Sequence, residues 1–372
     1  MGIDGYVLAG LLPQIAGDLD VGVAAAGQLM AAFALTSALA GPVLGALTGG
    51  WERRATIVGA LAVFVLGNLV VALAPTYAIA MTGRVVSALG GALLNAVISA
   101  YVVATTPPER RGRALSLVLG GWLTATALGV PLGLLLGQSD WRLPLFLVVV
   151  VGSAALVGIL LRVPRLRQPP RSLGETLRPL REPRLLAALL VPIGIMCASY
   201  LCFTYATLIV GPRVGGGLVM VLVMFGYGLL SLAGNVLTGR LTDRHQPVRV
   251  VTGILSLLIA AAVLGALGML LPGVLGAAAA IAWFFTCAVG NGGSGVPLQA
   301  RLSAMAPESA ALVFALNGSA MALGSALGSG LGGASLELGV APDRLLLISA
   351  AVLVITLAVH LAVVRSERMS RR

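Results

Sequence analysis

The sequence predicts an all-α polytopic membrane protein with twelve spans in two pseudo-symmetric six-helix bundles, and three observations support this class. Hydrophobic residues make up 58% of the 372 residues, charged residues make up 10%, and the mean hydropathy is +1.02. Water-soluble domains of this size carry fewer apolar and more charged residues. Apolar runs of about 20 residues, enough to cross roughly 30 Å of hydrocarbon, recur along the chain. A basic, proline-broken stretch divides them into two groups of six.

The predicted spans follow from the apolar runs and from the turn residues between them. Glycine and proline mark short breaks in the second half at Gly211-Pro212, at 271–273 and at Ala341-Pro342. The twelve predicted spans are 3–17, 24–48, 55–74, 77–104, 114–137, 143–161, 186–210, 217–238, 249–271, 274–298, 309–336 and 345–364.

The basic stretch is predicted to be a cytoplasmic linker, residues 162–184, between an N-terminal bundle (1–161) and a C-terminal bundle (185–372). Its seven arginines and repeated prolines can neither bury a core nor continue a long helix. We therefore expect a solvated connector with at most one helical turn near Leu173–Leu177.

The positions of the arginines predict the orientation in the membrane. The chain has no lysine, and with both termini and the linker inside, 20 of the 24 arginines lie on the cytoplasmic side. Only Arg142, Arg213 and Arg344 then lie outside, and Arg84 falls within a span. Such asymmetry follows the positive-inside rule. It predicts a multi-pass protein of the cell inner (plasma) membrane with both termini cytoplasmic.

The first span is shorter than a full crossing and carries a carboxylate. Residues 1–17 are too few to span the hydrocarbon, so we expect further apolar residues upstream in the reading frame, or a tilted helix in a locally thinner bilayer. Asp4 is the only carboxylate placed well within a predicted span, where a neutral, protonated form is favoured. It is our candidate for proton binding. The alternative is that Asp4 lies at the cytoplasmic interface.

Two loops echo each other at matching places in the halves. Gly45-Ala-Leu-Thr-Gly-Gly-Trp-Glu-Arg-Arg54 follows the second span, and Gly239-Arg-Leu-Thr-Asp-Arg-His-Gln-Pro-Val-Arg249 follows the eighth. Matching loops in a six-plus-six pattern indicate duplicated halves.

These loops resemble the major facilitator superfamily, whose loop between spans two and three has the pattern G-x-L-x-D-R-x-G-R-R/K. Arg84-Val-Val-Ser-Ala-Leu-Gly-Gly-Ala92 is similar to the family's fourth-span motif, and Gly129-Val-Pro-Leu-Gly133 to its antiporter motif. Leu11-Leu-Pro-Gln-Ile-Ala16 and Pro297-Leu-Gln-Ala-Arg301 add a likeness to the proton-driven drug efflux branch, in the arabinose-efflux and chloramphenicol-resistance-like group.

The resemblance implies a twelve-span major facilitator fold that gates through its loop motifs. The residues that it places in gating are Gly45, Arg53, Arg54, Gly129, Pro131, Gly133, Gly239, Asp243 and Arg244. The first loop departs from the family pattern, since Gly49 replaces the loop aspartate and Glu52 stands where glycine is usual. The first loop therefore cannot make the family's usual aspartate-to-helix contact, although its two arginines could reach helix C-terminal ends.

Arg84 begins a polar stripe on the fourth span. Ser87, Gly91 and Asn95 share its helical face by their spacing, and a polar stripe in lipid points inward. We expect Arg84 to act in proton or substrate handling, and by resemblance it assists proton transfer. The alternative is an arginine that snorkels to the interface or joins two helices.

Aromatic and amide residues are candidates for a substrate cavity. An individual aromatic could instead belong to helix packing or to the interface belt. His360 is expected to be interfacial, and His245 to lie in a loop. The candidate cavity residues are Asn95, Trp122, Tyr200, Tyr227, Trp283, Asn291 and Asn317.

We interpret the chain as a proton-coupled antiporter that exports a small lipophilic or neutral molecule by alternating access. A sugar efflux carrier and a transport-inactive paralogue or receptor are the alternatives. The sequence has no phosphate-binding loop, and its two histidines and thirteen scattered acids form no enzyme-like cluster. We expect no metal or cofactor, no nucleic-acid partner and a monomer, with substrate, protons and lipid as partners.

Overall fold

The computed structural model describes residues 2–107, 110–167, 183–305 and 310–369. These ranges contain thirteen α-helices and one 3-10 helix, Pro342–Arg344. The α-helices are α1 Gly2–Asp18, α2 Val23–Leu47, α3 Arg53–Ala72, α4 Tyr77–Thr105, α5 Arg111–Gly137, α6 Leu143–Arg162, α7 Pro183–Phe203, α8 Ala206–Val214, α9 Leu218–Arg244, α10 Pro247–Gly268, α11 Gly273–Met305, α12 Ala310–Glu337 and α13 Leu345–Met369.

The helices occupy the twelve predicted span positions, with the seventh divided into α7 and α8, and they confirm the predicted all-helical class. Nine helices in the described ranges are long and apolar enough to cross a membrane. The chain forms two compact units, Met1–Leu177 and Arg178–Arg372. Residues 168–182 of the predicted linker, including its expected helical turn, lie outside the described residues, so the linker stays a prediction.

In the N-terminal unit, glycines bring helices into close contact. A Cβ at Gly90 of α4 would come within 2.6 Å of the Ala60 carbonyl oxygen of α3, so only glycine fits there without movement. Ile57 and Phe64 of α3 pack with Leu94 of α4 in an apolar cluster that α6 completes. Such small-residue contacts are how helices approach when lipid surrounds them.

The C-terminal unit is built around α7. Its residues Val191 and Ile195 pack with Leu255 of α10 and Leu353 of α13 in one apolar cluster. On another side of α7, the α12 glycine Gly324 approaches so closely that a Cβ would come within 2.8 Å of Met196 Cβ. The small-residue pattern of α12 thus provides a close helix contact.

The predicted break at Gly211-Pro212 is wrong, because a helix continues through these residues. The seventh span is interrupted before them instead. Helix α7 ends at Phe203, and α8 runs from Ala206 through Pro212 to Val214. At the interruption, the Tyr205 hydroxyl donates to the Ser329 carbonyl oxygen at 2.9 Å, which ties the turn to α12. Helix α8 ends instead just before two glycines with positive φ, +89° at Gly215 and +61° at Gly217.

Candidate functional site

Arg84 is a buried cation inside the N-terminal unit. Only 1% of its surface is exposed, and its Nε donates to the Leu29 carbonyl oxygen at 3.3 Å. Its guanidinium carbon lies 4.3 Å from the centre of the Phe33 ring. A carbonyl dipole and an aromatic face both stabilise a buried cation. Helix α2, which carries Leu29 and Phe33, therefore holds the charge in place.

The polar stripe of α4 continues only in part beside Arg84. Ser87 is fully buried, and its hydroxyl donates to the Arg84 carbonyl oxygen at 3.0 Å, within the helix. Asn95 is exposed and lies about 16 Å further along the helix at 1.5 Å per residue. The structure therefore does not bring Asn95 to Arg84, and its cavity role stays a prediction.

Two predicted residues fall where only the backbone is described. Asp4 lies in α1 and Trp122 lies in α5, both in helical conformation. Their side chains lie outside what the structure describes. Proton binding by Asp4 and substrate contact by Trp122 therefore stay predictions.

In the C-terminal unit, three helices share a neutral hydrogen-bond chain. The Ser199 hydroxyl of α7 donates to Asn291 Oδ1 of α11. Asn291 Nδ2 in turn donates to the Tyr227 hydroxyl of α9 at 2.8 Å. The amide of Asn291 thus uses both its acceptor and its donor in one chain.

Aromatic rings surround this chain. The ring centre of Tyr227 lies 5.0 Å from Phe203 and 4.6 Å from Phe284, while Tyr200 lies 5.7 Å from Phe203 and Trp283 lies 5.9 Å from Phe284. These separations are those at which aromatic pairs attract each other. We call Ser199, Asn291 and Tyr227 together with these rings the aromatic–amide cluster.

A small cavity adjoins the aromatic–amide cluster. It has a volume of about 20 Å³, which is room for about one water molecule. A compound larger than water can enter only when the surrounding side chains move. The cavity is lined by Ala198, Ser199, Cys202, Phe203, Tyr227, Leu258, Trp283, Phe284, Cys287, Asn291, Ser349 and Leu353, none of which is charged.

Asn317 belongs to a different polar contact. It is 6% exposed in α12, and its Nδ2 donates to Gln299 Oε1 of α11 at 3.2 Å. Its Oδ1 is buried without a hydrogen-bond partner among the described residues. Asn317 does not line the cavity beside the aromatic–amide cluster, so the predicted cavity residues divide between two places.

The loop between α2 and α3 is built on Glu52. Its carboxylate accepts from the backbone N–H groups of Arg54 at 2.8 Å and Ala55 at 3.0 Å, which caps α3. It also accepts from Leu166 N–H at 3.1 Å, beyond the end of α6. Burial raises the pKa of Glu52, but these three donors and nearby Arg165 outweigh it, so the pKa lies below its usual value.

The arginines of this loop also contact residues near the end of α6. The backbone N–H of Arg53 donates to the Leu166 carbonyl oxygen at 2.7 Å, and the Arg54 guanidinium donates to the Leu160 carbonyl oxygen. Leu160 lies in the last turn of α6, where free carbonyl groups collect negative charge. Together with the hydrogen bonds of Glu52, which stands where the resembling family's pattern has glycine, these contacts anchor the loop to the end of α6.

In the corresponding loop of the C-terminal unit, the acidic residue has no such contact with another described residue. Asp243 and Arg244 are exposed in the last turn of α9, after the half-buried Gly239. Gln246 precedes α10 without a side-chain cap. The gating roles predicted for the residues of both loops stay predictions.

The motif in α5 contacts α1. Gly129 and Gly133 are buried, and Pro131 lies between them inside the helix. A Cβ at Gly133 would come within 2.7 Å of the Val7 side chain. Substitution there would press α5 away from α1. In α2, a Cβ at Gly45 would meet Ala96 of α4 at 3.2 Å, a milder crowding.

A buried charged cluster at the ends of α11 and α13 was not predicted from the sequence. His360, expected at the interface, is fully buried, and Arg301 is 5% exposed. An Arg301 guanidinium nitrogen lies 2.6 Å from His360 Nδ1, and another lies 3.2 Å from a Glu367 oxygen. The spacing of His360 and Glu367, seven residues apart on one helical face, was the only local signal.

Comparison with known proteins gives the family. The chain matches the family model described as Major Facilitator Superfamily over residues 1–367. The inner membrane transport protein YdhP of Escherichia coli (strain K12) is 31% identical over 342 residues, which are 89% of this chain and 84% of that protein. A chloramphenicol resistance protein of Streptomyces lividans is 36% identical over 254 residues, 66% of this chain and 64% of that protein. This match therefore spans less than two thirds of that relative's length.

A solved structure gives the same fold. The crystal structure of a bacterial homolog to the human lysosomal transporter Spinster, in an inward-facing and unoccupied conformation, superimposes with a TM-score of 0.75. The match covers 98% of this chain and 94% of that chain, at 17% sequence identity. The chain belongs to the major facilitator superfamily and is a multi-pass membrane protein.

Proposed function

We propose that the protein is a proton-coupled antiporter that exports a small, neutral, lipophilic molecule by alternating access. The aromatic–amide cluster is the observation that supports this class of substrate. Its cavity lining offers aromatic faces, one amide and hydroxyl groups, with no charged side chain among the described residues. Pockets that are mostly apolar with a few placed polar groups suit neutral ligands with an aromatic or aliphatic body.

Chloramphenicol is a suitable test compound for this proposal. The Streptomyces lividans relative is described as a chloramphenicol resistance protein, and a relative in Mycobacterium tuberculosis, 31% identical over 274 residues, as a chloramphenicol efflux pump. A sugar has many hydroxyl groups, and each would need a polar partner on leaving water. The few polar groups of the cluster favour a lipophilic compound over a sugar.

The proposed coupling uses the N-terminal unit. Asp4 would bind the proton, since a carboxylate in a predicted span is costly to ionise. Arg84 would supply a permanent buried charge, held by Leu29 and Phe33. An arginine stays charged at any physiological pH, so of these two side chains only the carboxylate changes its charge during a transport cycle.

The proposed direction of transport depends on the orientation in the inner membrane. We propose that both termini face the cytoplasm, since this assignment places 20 arginines inside and three outside. Cysteine labelling at Gly174→Cys in intact cells tests it. We expect this cysteine to be protected from a membrane-impermeant reagent. Labelling in intact cells would instead show that the linker faces outside, which contradicts the proposed orientation.

Transport by purified protein in liposomes tests the proposed function. With an imposed pH gradient, wild-type protein should accumulate radiolabelled chloramphenicol, and a protonophore should abolish the accumulation. A labelled sugar of similar mass serves as the alternative compound. Sugar accumulation in place of chloramphenicol would support the sugar carrier. Failure to move any compound in a broad panel would support the transport-inactive alternative.

A further inference from the structure

The ends of α11 and α13 hold a charged cluster that the proposed transport cycle does not use. Helix α11 continues to Met305, beyond the apolar segment that ends at residue 298, and this extension carries Arg301. Arg301 bonds to His360 at 2.6 Å and to Glu367 at 3.2 Å, both on α13. We call Arg301, His360 and Glu367 the α11–α13 latch, because it joins these two helices.

The hydrogen-bond roles in the latch follow from the chemistry of its groups. A guanidinium group can only donate, so His360 Nδ1 must accept and must carry no proton. The other ring nitrogen, Nε2, then carries the hydrogen and donates to the Thr252 hydroxyl oxygen at 3.0 Å. Thr252 donates in turn to the Val248 carbonyl oxygen at 2.9 Å, so α10 fixes this tautomer. The described geometry requires a neutral His360.

A proton on Nδ1 is incompatible with this arrangement. The protonated imidazole would present an N–H group to a guanidinium at hydrogen-bond distance, in a site where His360 is fully buried. Two like charges in such a site repel strongly, and neither could donate to the other. Arg301 would have to move away from His360, which weakens its hold on α13.

Two features make the latch able to open. Arg301 Nε is buried and has no hydrogen-bond partner among the described residues, so the guanidinium is incompletely satisfied where it lies. The Glu367 side chain is 24% exposed, which gives water a route to the cluster. A buried donor without a partner costs free energy that a new position can recover.

No other described charge is buried with the latch. Arg184 of α7, Arg249 of α10 and Arg365 of α13 are exposed. The adjoining surface is apolar, with Leu302 and Val363 in one buried cluster. A change in the charge of His360 therefore acts most strongly on Arg301 and Glu367.

We propose that His360 is a proton-binding site of the C-terminal unit, and that its protonation at Nδ1 opens the α11–α13 latch. The proton comes from water at Glu367, and Arg301 loses its acceptor. Its use in transport rests on the proposed proton coupling, but the proton site itself can be tested without any transported compound.

The test uses the fact that the chain has only two histidines. In a His245→Gln background, ¹⁵N-labelled histidine reports on His360 alone by NMR in nanodiscs. At neutral pH we expect the signal of an Nε2–H tautomer, and on acidification the signal of a doubly protonated ring. A neutral Nδ1–H tautomer, or a ring that stays neutral until the protein unfolds, would overturn the proposal.

Spin labels measure whether the latch opens. Ala304→Cys on α11 and Leu361→Cys on α13 are both exposed positions, and the three native cysteines are replaced by alanine. We expect the distance distribution to lengthen over the pH range in which His360 gains its proton. His360→Gln keeps an acceptor for Arg301 but cannot be protonated, so its distances should not change with pH. A constant wild-type distance, or a pH response that persists in His360→Gln, would refute the latch.

The outcomes separate this inference from the proposed function. If His360 takes up a proton and the distance changes while no pH gradient drives export, the latch stands and the proton-coupled function fails. If export is proton-driven while His360 stays neutral, the function stands and the latch is refuted.

Discussion

The two units each bury an arginine, and they differ in what lies against it. Arg84 of the N-terminal unit contacts the Leu29 carbonyl group and the Phe33 ring, neither of which changes charge with pH. Arg301 of the C-terminal unit contacts His360, whose imidazole the proposed latch protonates, and the carboxylate of Glu367. These two contacts of Arg84 do not depend on pH, whereas the proposed latch makes the contact of Arg301 with His360 depend on protonation.

The two echoing loops show a second contrast between the units. Glu52 caps α3 and accepts a hydrogen bond from Leu166 N–H. Asp243, in the other loop, is exposed. The acidic side chain thus fixes the loop in one unit and is exposed in the other. The contrast in arginines and the contrast in loops can each be tested by paired substitutions.

The largest effect is expected at Arg84. Arg84→Ala removes a buried cation and its donors, and we expect transport to fall by about tenfold or more. Arg84→Lys is the matched variant, because it keeps the charge but loses the flat group that lies over Phe33. We expect an intermediate rate. Vesicle uptake at matched expression measures both, and wild-type uptake by Arg84→Ala would remove Arg84 from the mechanism.

A smaller effect is expected in the aromatic–amide cluster. Asn291→Leu removes both hydrogen bonds that join Ser199 and Tyr227, and we expect the KM for the exported compound to rise by roughly 2- to 10-fold. Tyr227→Phe, which keeps the ring and removes only the hydroxyl, should give a smaller rise. An unchanged KM in both variants would place substrate binding elsewhere.

The two loops should respond differently to the same change. Glu52→Ala removes the cap of α3 and the bond to Leu166, and should lower the free energy of unfolding by about 1 kcal/mol. Asp243→Ala should change it by less than about 0.5 kcal/mol, because that side chain is exposed. Thermal unfolding in one detergent compares them. Equal losses in both variants would contradict the contrast.

The smallest effect concerns Asp18 at the end of α1. Hydrogen bonds from Arg142 at 2.5 Å and from Trp141 at 3.2 Å lower the pKa of Asp18, although partial burial opposes them. A lowered folded-state pKa stabilises the protein above the unfolded pKa of about 3.9, and this contribution disappears as the pH falls through the lower folded value.

Asp18→Asn should therefore lower the melting temperature at neutral pH by about 1 °C, since the pair is partly exposed. The difference from wild type should shrink below about pH 4 as the carboxylate takes up its proton. A difference that grows on acidification would show that the ion pair is not its source.

Much of the fold could be predicted because hydropathy and the loop motifs act locally. The helix bounds follow the apolar runs closely, as in α6, predicted at 143–161 and found at Leu143–Arg162. The interruption after Phe203 could not be predicted, since it depends on Tyr205 and a partner on α12 that is 124 residues away. Apolar composition does not indicate such a contact.

The candidate sites were predictable only in part, for a similar reason. The motif around Arg84 singled out a residue that proves to be buried. The pairing of Arg301 with His360 joins residues 59 positions apart, and it depends on how α11 and α13 are rotated about their axes. Nearly uniform apolar helices carry little periodic signal for that rotation. The sequence shows Glu52 as a departure from the family pattern, but its role as the cap of α3 could be identified only from the geometry of the loop.

Proton release on substrate binding tests the central claim most directly. In an antiporter, the proton and the exported compound lower each other's affinity, so binding of one releases the other. Chloramphenicol added to purified protein in weakly buffered detergent solution should release protons from wild type, and not from Asp4→Asn, which cannot bind or release one. Proton uptake, or binding without any change in pH, would contradict proton-coupled antiport.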